Sequence, residues 1–149
     1  MGLMTALWLV SVAMTNASIV DLFWGFGFVM VGGFYALEAG GWGSRPTLVL
    51  ILVAVWGLRL SLYLAWRNAG KGEDFRYQDF RKKYGPHRYW WFSFFQVFLL
   101  QGVLMWLIST PLAAAMAGPV QDLIWLDYVA CGVWLIGFVF EAGGDYQLA

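Results

Sequence analysis

Charge is scarce in this chain. Lys, Arg, Asp and Glu make up only 12% of its 149 residues and cancel to a net charge of zero. Ordinary soluble domains carry about 25% charged residues, so a normal water-facing surface is excluded. Cysteine is scarcer still. Cys131 is alone and sits in an apolar run, which excludes an internal disulfide framework and reads as a small buried hydrophobe. No Lys or Arg precedes the first apolar stretch, so the positive n-region of a signal peptide is missing. Zinc-ligand spacing, a nucleophile elbow and a phosphate-cradling G-x-G-x-x-G turn are absent as well, and no metal site is expected.

What is abundant is apolar and aromatic surface. Hydrophobic residues reach 61%, with ten Trp, seven Tyr and twelve Phe, and the mean hydropathy is +0.66. A bilayer is the natural solvent for such a chain, and its length allows about five spans of roughly 20 residues. The apolar runs predict helices over Leu3–Met14, Ile19–Leu37, Thr47–Trp66 and Tyr89–Ser109, with a fifth from Leu123 still running at Ala149. Turns are expected at Ala39–Pro46 and at Thr110–Asp122, which holds Pro111, Gly118 and Pro119. The expected fold is a single all-α, polytopic membrane bundle over residues 1–149, of about five transmembrane helices with the last cut short.

Ten of the eighteen charged residues lie between Arg67 and Arg88, seven of them basic. Short loops rich in Lys and Arg stay on the cytoplasmic side, so 67–88 is expected to be a cytoplasmic, solvated loop that attracts anionic membrane lipid. No other segment is basic, which argues against a nucleic-acid partner. Alternation then brings the second, third and fifth helices to the same side with polar residues. Asp21 opens the second helix, Arg59 sits about 12 Å before Arg67 in the third, and Glu141 and Asp145 approach the end of the fifth.

Each of these residues has two readings. Trp56, Arg59, Tyr63 and Arg67 share one helical stripe; they hold an anionic cofactor or polarise a substrate, or Arg59 forms a structural ion pair. Glu141 and Asp145 share a face at four-residue spacing. They are natural partners for Arg59, or else a solvated helix end. Asp21 follows Ser18 as in a capping box, or belongs to a site. Gln96 and Gln101 need hydrogen-bond partners in lipid and are expected to face the bundle interior, and Gly25, Gly27, Gly32 and Gly33 are read as close helix packing.

Several spaced motifs recur in order: Asn16-Ala17-Ser18-Ile19-Val20-Asp21 with Trp24-Gly25, then Trp56-Gly57-Leu58-Arg59-Leu60, Gly72-Glu73-Asp74-Phe75-Arg76-Tyr77, and Phe140-Glu141-Ala142-Gly143-Gly144-Asp145-Tyr146-Gln147. Together they resemble a bacterial membrane-protein family of formerly unknown function, grouped with the steroid 5-alpha-reductase C-terminal domain. The resemblance implies a multi-pass protein of the bacterial inner membrane. Such a protein uses NADPH to saturate a carbon–carbon double bond in a hydrophobic, lipid- or steroid-like enone.

In the steroid reductases a polar residue followed four positions later by Asp helps bind the cofactor. Glu141 and Asp145 match that spacing, with Glu where Asn is usual. Arg59 falls at the arginine of their third-helix motif, and Gln101-Gly102 resembles a Gln-Gly pair in their fourth helix. The resemblance thus implies Arg59, Glu141 and Asp145 on the cofactor side, and a substrate pocket is expected around Asp21, Trp56, Tyr63 and Gln101. The tyrosine thought to protonate the enone is replaced around Trp56, and indole is no comparable acid, so no catalytic residue is assigned. The family continues into further helices that complete the nucleotide site, which implies that this chain is the front part of the domain and inactive alone. Two other readings remain at this point: an isoprenylcysteine-type methyltransferase relative using S-adenosylmethionine, and a non-enzymatic membrane scaffold.

Overall fold

A computed structural model describes residues 2–39, 42–118 and 122–147. Its elements are α1 (Gly2–Met14), α2 (Ile19–Glu38), α3 (Ser44–Asn68), α4 (Phe75–Tyr84), α5 (Pro86–Ser93), a π-helical turn (Phe94–Leu99), α6 (Leu100–Met116) and α7 (Trp125–Gln147). There is no strand among the described residues. Four helical stretches are long and apolar enough to cross a membrane: Ile19–Glu38, Ser44–Asn68, His87–Met116 and Trp125–Gln147. At 1.5 Å per residue the 13-residue α1 reaches about 20 Å, short of the roughly 30 Å hydrocarbon core. The all-α polytopic bundle is as expected, with four full-length helices and one short one.

The bundle is organised on the α2–α3 crossing. A Cβ placed on Gly25 would collide with the carbonyl oxygen of Gly57, and one on Gly57 with that of Gly25. Only glycine lets these two backbones touch, the small-residue packing that membrane helices use in place of a hydrophobic driving force. Just beside this contact the Ser61 hydroxyl accepts a hydrogen bond from the Phe26 amide at 2.9 Å, and Phe28 meets Trp56 edge to face at 5.7 Å. Gly27 faces Met105 and Gly32 faces Leu50 and Val53, whereas Gly33 has open space beside it. The packing expectation therefore holds for three of the four glycines.

Three expectations need correction. The basic segment is not a plain solvated loop, because it contains α4. Asp74 caps that helix by accepting from the Arg76 amide at 3.0 Å, and Gly85 ends it at φ 78°, a conformation that favours glycine. The helix expected to stop at Ser109 continues through Pro111 to Met116. The Thr110 hydroxyl bonds to the Leu107 carbonyl at 2.8 Å there, one of the ways a membrane helix accommodates proline. Pro119, the Gly40–Gly41 part of the expected turn and the Leu148–Ala149 end lie outside the described residues.

The third correction concerns Ser18 and Asp21, which form no capping box. Ser18 is helical, with φ −63° and ψ −13°, and makes no side-chain cap. Its hydroxyl instead accepts from the Asp74 amide at 2.7 Å. Next to it Glu73, only 9% exposed, accepts from the Ala17 amide and from Arg81, each at 2.8 Å. Arg81 also holds the carbonyl of Thr15 at 3.0 Å. Thr15 has φ 52°, uncommon for a β-branched residue. The turn between α1 and α2 is thus stapled to the start of α4.

Candidate functional site

Three contacts join α3 and α7 at one constant spacing of 82 residues: Arg45 with Asp127, Arg59 with Glu141 and Tyr63 with Asp145. A constant spacing means that the two helices run parallel and in register. The first contact closes one end: Arg45 donates to both Asp127 carboxylate oxygens, with Nε–Oδ1 and Nη2–Oδ2 distances of 3.0 Å. About 21 Å along at the helical rise, Arg59 donates from Nη1 to Asp145 and from Nη2 to Glu141. Trp56 Nε1 donates to the second Glu141 oxygen at 2.8 Å, and the Tyr63 hydroxyl donates to the Asp145 carbonyl at 2.8 Å. Phe138 lies under the guanidinium at 5.5 Å.

Between these polar clamps α7 buries no residue at all. Its placement against α3 therefore depends on the clamps far more than on packing, unlike α2, whose Val20 is fully buried and Phe28 nearly so. Free Cys131 is half-buried on α7.

Chemically, the cluster is one guanidinium facing two carboxyl groups. It has no spare positive charge for a phosphate, but it offers carboxylate acceptors of the kind that bind ribose hydroxyls. One donor is left over, since Arg59 Nε is buried without a hydrogen-bond partner. A hollow of about 300 Å³ adjoins the cluster, walled by Trp56, Trp134, Gly137, Phe138 and Glu141.

A second cavity, of about 660 Å³, lies between α2, α3, α4 and the helix that follows α5. Asp21, Arg67, Arg76, Tyr77, Gln96 and Gln101 form its polar lining, and Trp24, Leu64, Leu100 and Leu104 are among its apolar residues. The Tyr77 hydroxyl donates to Asp21 at 2.8 Å, while Arg76 reaches the other Asp21 oxygen at 3.1 Å and Asp74 at 2.9 Å. The Arg76 hydrogen bond holds the Asp74 carboxyl below its ordinary range. Burial, reinforced by the charge of Asp21, pushes the Tyr77 hydroxyl well above the ordinary tyrosine value. Gln96 and Gln101 are five residues apart, which on a regular α-helix splays them by about 140°. The π turn over Phe94–Leu99 shortens that angle and brings both to the cavity, a use typical of π segments.

The residues singled out from the sequence fall into two groups. Trp56, Arg59, Tyr63, Glu141 and Asp145 come together between α3 and α7. Asp21 and Gln101 line the other cavity, so the expected single substrate pocket of Asp21, Trp56, Tyr63 and Gln101 is two places. Arg76 and Tyr77, which the sequence offers only within a motif of the basic segment, are cavity residues that the structure adds. The signal available was Tyr77 itself, an aromatic three residues after the helix-capping Asp74.

Comparison with known proteins identifies the chain at the level of family only. An uncharacterized protein of Schizosaccharomyces pombe (strain 972 / ATCC 24843) is 29% identical over 148 residues, covering 95% of this chain and 43% of its own length. The chain thus spans less than half of that relative. No solved structure matches significantly. Residues 7–149, which carry both the α3–α7 cluster and the second cavity, match the family described as "Protein of unknown function (DUF1295)", and the chain belongs to that family.

Proposed function

We propose that this chain forms the membrane-embedded core of an NADPH-dependent reductase. Its substrate class is a lipid- or steroid-like enone whose carbon–carbon double bond is saturated. The observation that supports the reading most is the convergence of Trp56, Arg59 and Tyr63 on Glu141 and Asp145, the residues that the steroid-reductase resemblance assigns to the cofactor side. The donor set suits part of the cofactor. Glu141 and Asp145 accept from ribose hydroxyls or a carboxamide, the orphaned Arg59 Nε donates, and Trp56 and Phe138 flank a hollow of ring-like walls. The phosphates need cations from elsewhere, because Arg59 is already shared between two carboxyl groups.

When bound, NADPH supplies the hydride. The protein's part is to orient the ring against α3, exclude water with the Trp and Phe side chains, and hold Arg59 in place. We place the protein in a bacterial inner membrane, with 67–88 on the cytoplasmic side, where the nucleotide is available and where the basic excess of that segment belongs.

The experiment is titration of the purified chain, and of the longest encoded product that contains it, with NADPH and separately with S-adenosylmethionine. Saturable NADPH binding that Asp145→Asn weakens about tenfold or more supports the reductase. Saturable S-adenosylmethionine binding instead moves the chain to the methyltransferase reading, and no binding of either leaves a scaffold.

A further inference from the structure

Arg67 ends α3 about 12 Å beyond Arg59, yet among the described residues it has no carboxylate partner within ion-pair distance. Its one polar contact is a long hydrogen bond to neighbouring Asn68 at 3.4 Å, and its guanidinium rests over the Tyr63 ring at 5.7 Å. It lines the 660 Å³ cavity together with Gln96, whose amide has no hydrogen-bond partner among the described residues. Gln101 lines the cavity close to the Tyr77 hydroxyl. A cation with no ion pair and the unsatisfied Gln96 amide beside an apolar wall are costly unless something fills their hydrogen bonds. The neighbouring ionisable groups are, by contrast, engaged: Asp21 is held by Tyr77 and Arg76, and Arg76 by Asp21 and Asp74.

We propose that this cavity binds an amphiphile with a single negative charge, such as a fatty-acyl carboxylate. Arg67 and the two glutamines take the head, and Leu64, Leu100 and Leu104 take the first part of the chain. The charge count sets the class. Arg67 is the one cation of the lining with no ion pair among the described residues, and the carboxylates of Asp21 and nearby Asp74 repel a second negative charge. A dianionic phosphate monoester is therefore disfavoured. The apolar floor distinguishes the site from the general basic attraction of 67–88 for anionic surfaces, which needs no cavity. The volume is that of a small-molecule site. This binding does not depend on the nucleotide site, because none of its residues belongs to the α3–α7 cluster.

The test is equilibrium binding of radiolabelled oleate to the full chain in phosphatidylcholine nanodiscs, with unlabelled competitors. Saturable binding is expected, displaced by excess oleate but not by oleyl alcohol or inorganic phosphate. Arg67→Gln should weaken it about tenfold or more, and Arg67→Lys less. Leu104→Trp, which fills the floor, should abolish it. Lys71→Gln, which removes a charge from the same basic segment outside the cavity, should change it less than about twofold. Equal displacement by oleyl alcohol would overturn the charge requirement, and displacement by phosphate the need for an apolar chain. An equal effect of Lys71→Gln and Arg67→Gln, or none of Leu104→Trp, would reduce the binding to surface attraction and contradict the site.

Discussion

Two arginines on one helix meet opposite environments. Arg59 is bracketed by two carboxyl groups from α7, while Arg67, two turns on, faces a cavity with no ion-pair partner among the described residues. The difference lies in what stands opposite each. In-register α7 brings Glu141 and Asp145 alongside Arg59, whereas α2, α4 and the π turn leave a gap beside Arg67 and commit their own carboxylates to Tyr77 and Arg76. A charge that is satisfied internally contributes to structure, and a charge left open is available to a ligand. The same helix therefore carries a clamp and a receptor.

Replacing the clamp should have the largest effect. Arg59→Leu leaves two carboxyl groups without their cation and is expected to cost about 3 kcal/mol. It should also release α7, seen as faster hydrogen exchange of α7 amides in detergent. Replacing Glu141 and Asp145 by leucine as well should recover part of the loss; if it does not, pairing is not what Arg59 contributes.

Gly57→Ala sharpens the comparison from the side of the scaffold. The added methyl meets the Gly25 carbonyl, and the expected cost is about 2 kcal/mol by thermal denaturation. Because α3 carries both arginines, α7 protection and oleate binding should fall together. Glu73→Gln should cost about 1 kcal/mol and separate the two regions. It loosens the staple that seats α4, so oleate binding weakens while α7 exchange stays as it was.

Arg67→Leu should leave stability within about 0.5 kcal/mol in the absence of amphiphile. A loss as large as that of Arg59→Leu would mean that Arg67 has a structural partner after all.

The smallest effect is one of pH, and it belongs to the cavity wall. Asp74 lies below its ordinary value of 3.8 because of Arg76. Its contribution is present above pH 3.8 and is lost as pH falls through the lower folded value. Tyr77 lies above its ordinary 10.0 because of burial. Its contribution is complete below pH 10.0 and fades as pH rises toward the folded value. For the half-exposed Arg76–Asp74 pair only a few tenths of a kcal/mol is expected. Tyr77→Phe should lessen the alkaline decline and leave the acid one.

Much of this was legible in the sequence. Hydropathy placed the helices over Ile19–Glu38, Ser44–Asn68 and the start of α7 closely and stopped the one through Pro111 short of its end at Met116, since long apolar runs have no other stable form in lipid. The four-residue spacing of Glu141 and Asp145 and the lone charge at Arg59 pointed to each other for the same reason, as unpaired charges in a membrane seek partners. What stayed hidden depended on tertiary contacts. Ser18 and Asp21 fit a local capping pattern, but Asp74 and Tyr77, more than fifty residues away, claim both side chains. A π turn has no simple residue signature, so the shared direction of Gln96 and Gln101 could not be read. The division of the polar residues into two sites followed from it.

The most direct test of two separate sites is a crossover measured on one set of preparations. NADPH and oleate are titrated into the wild type, Arg59→Leu and Arg67→Gln, with each variant first shown to be folded. The expected outcome is that Arg59→Leu loses nucleotide and keeps oleate, and that Arg67→Gln loses oleate and keeps nucleotide. Parallel loss of both ligands in either folded variant would contradict it and make the two places one site.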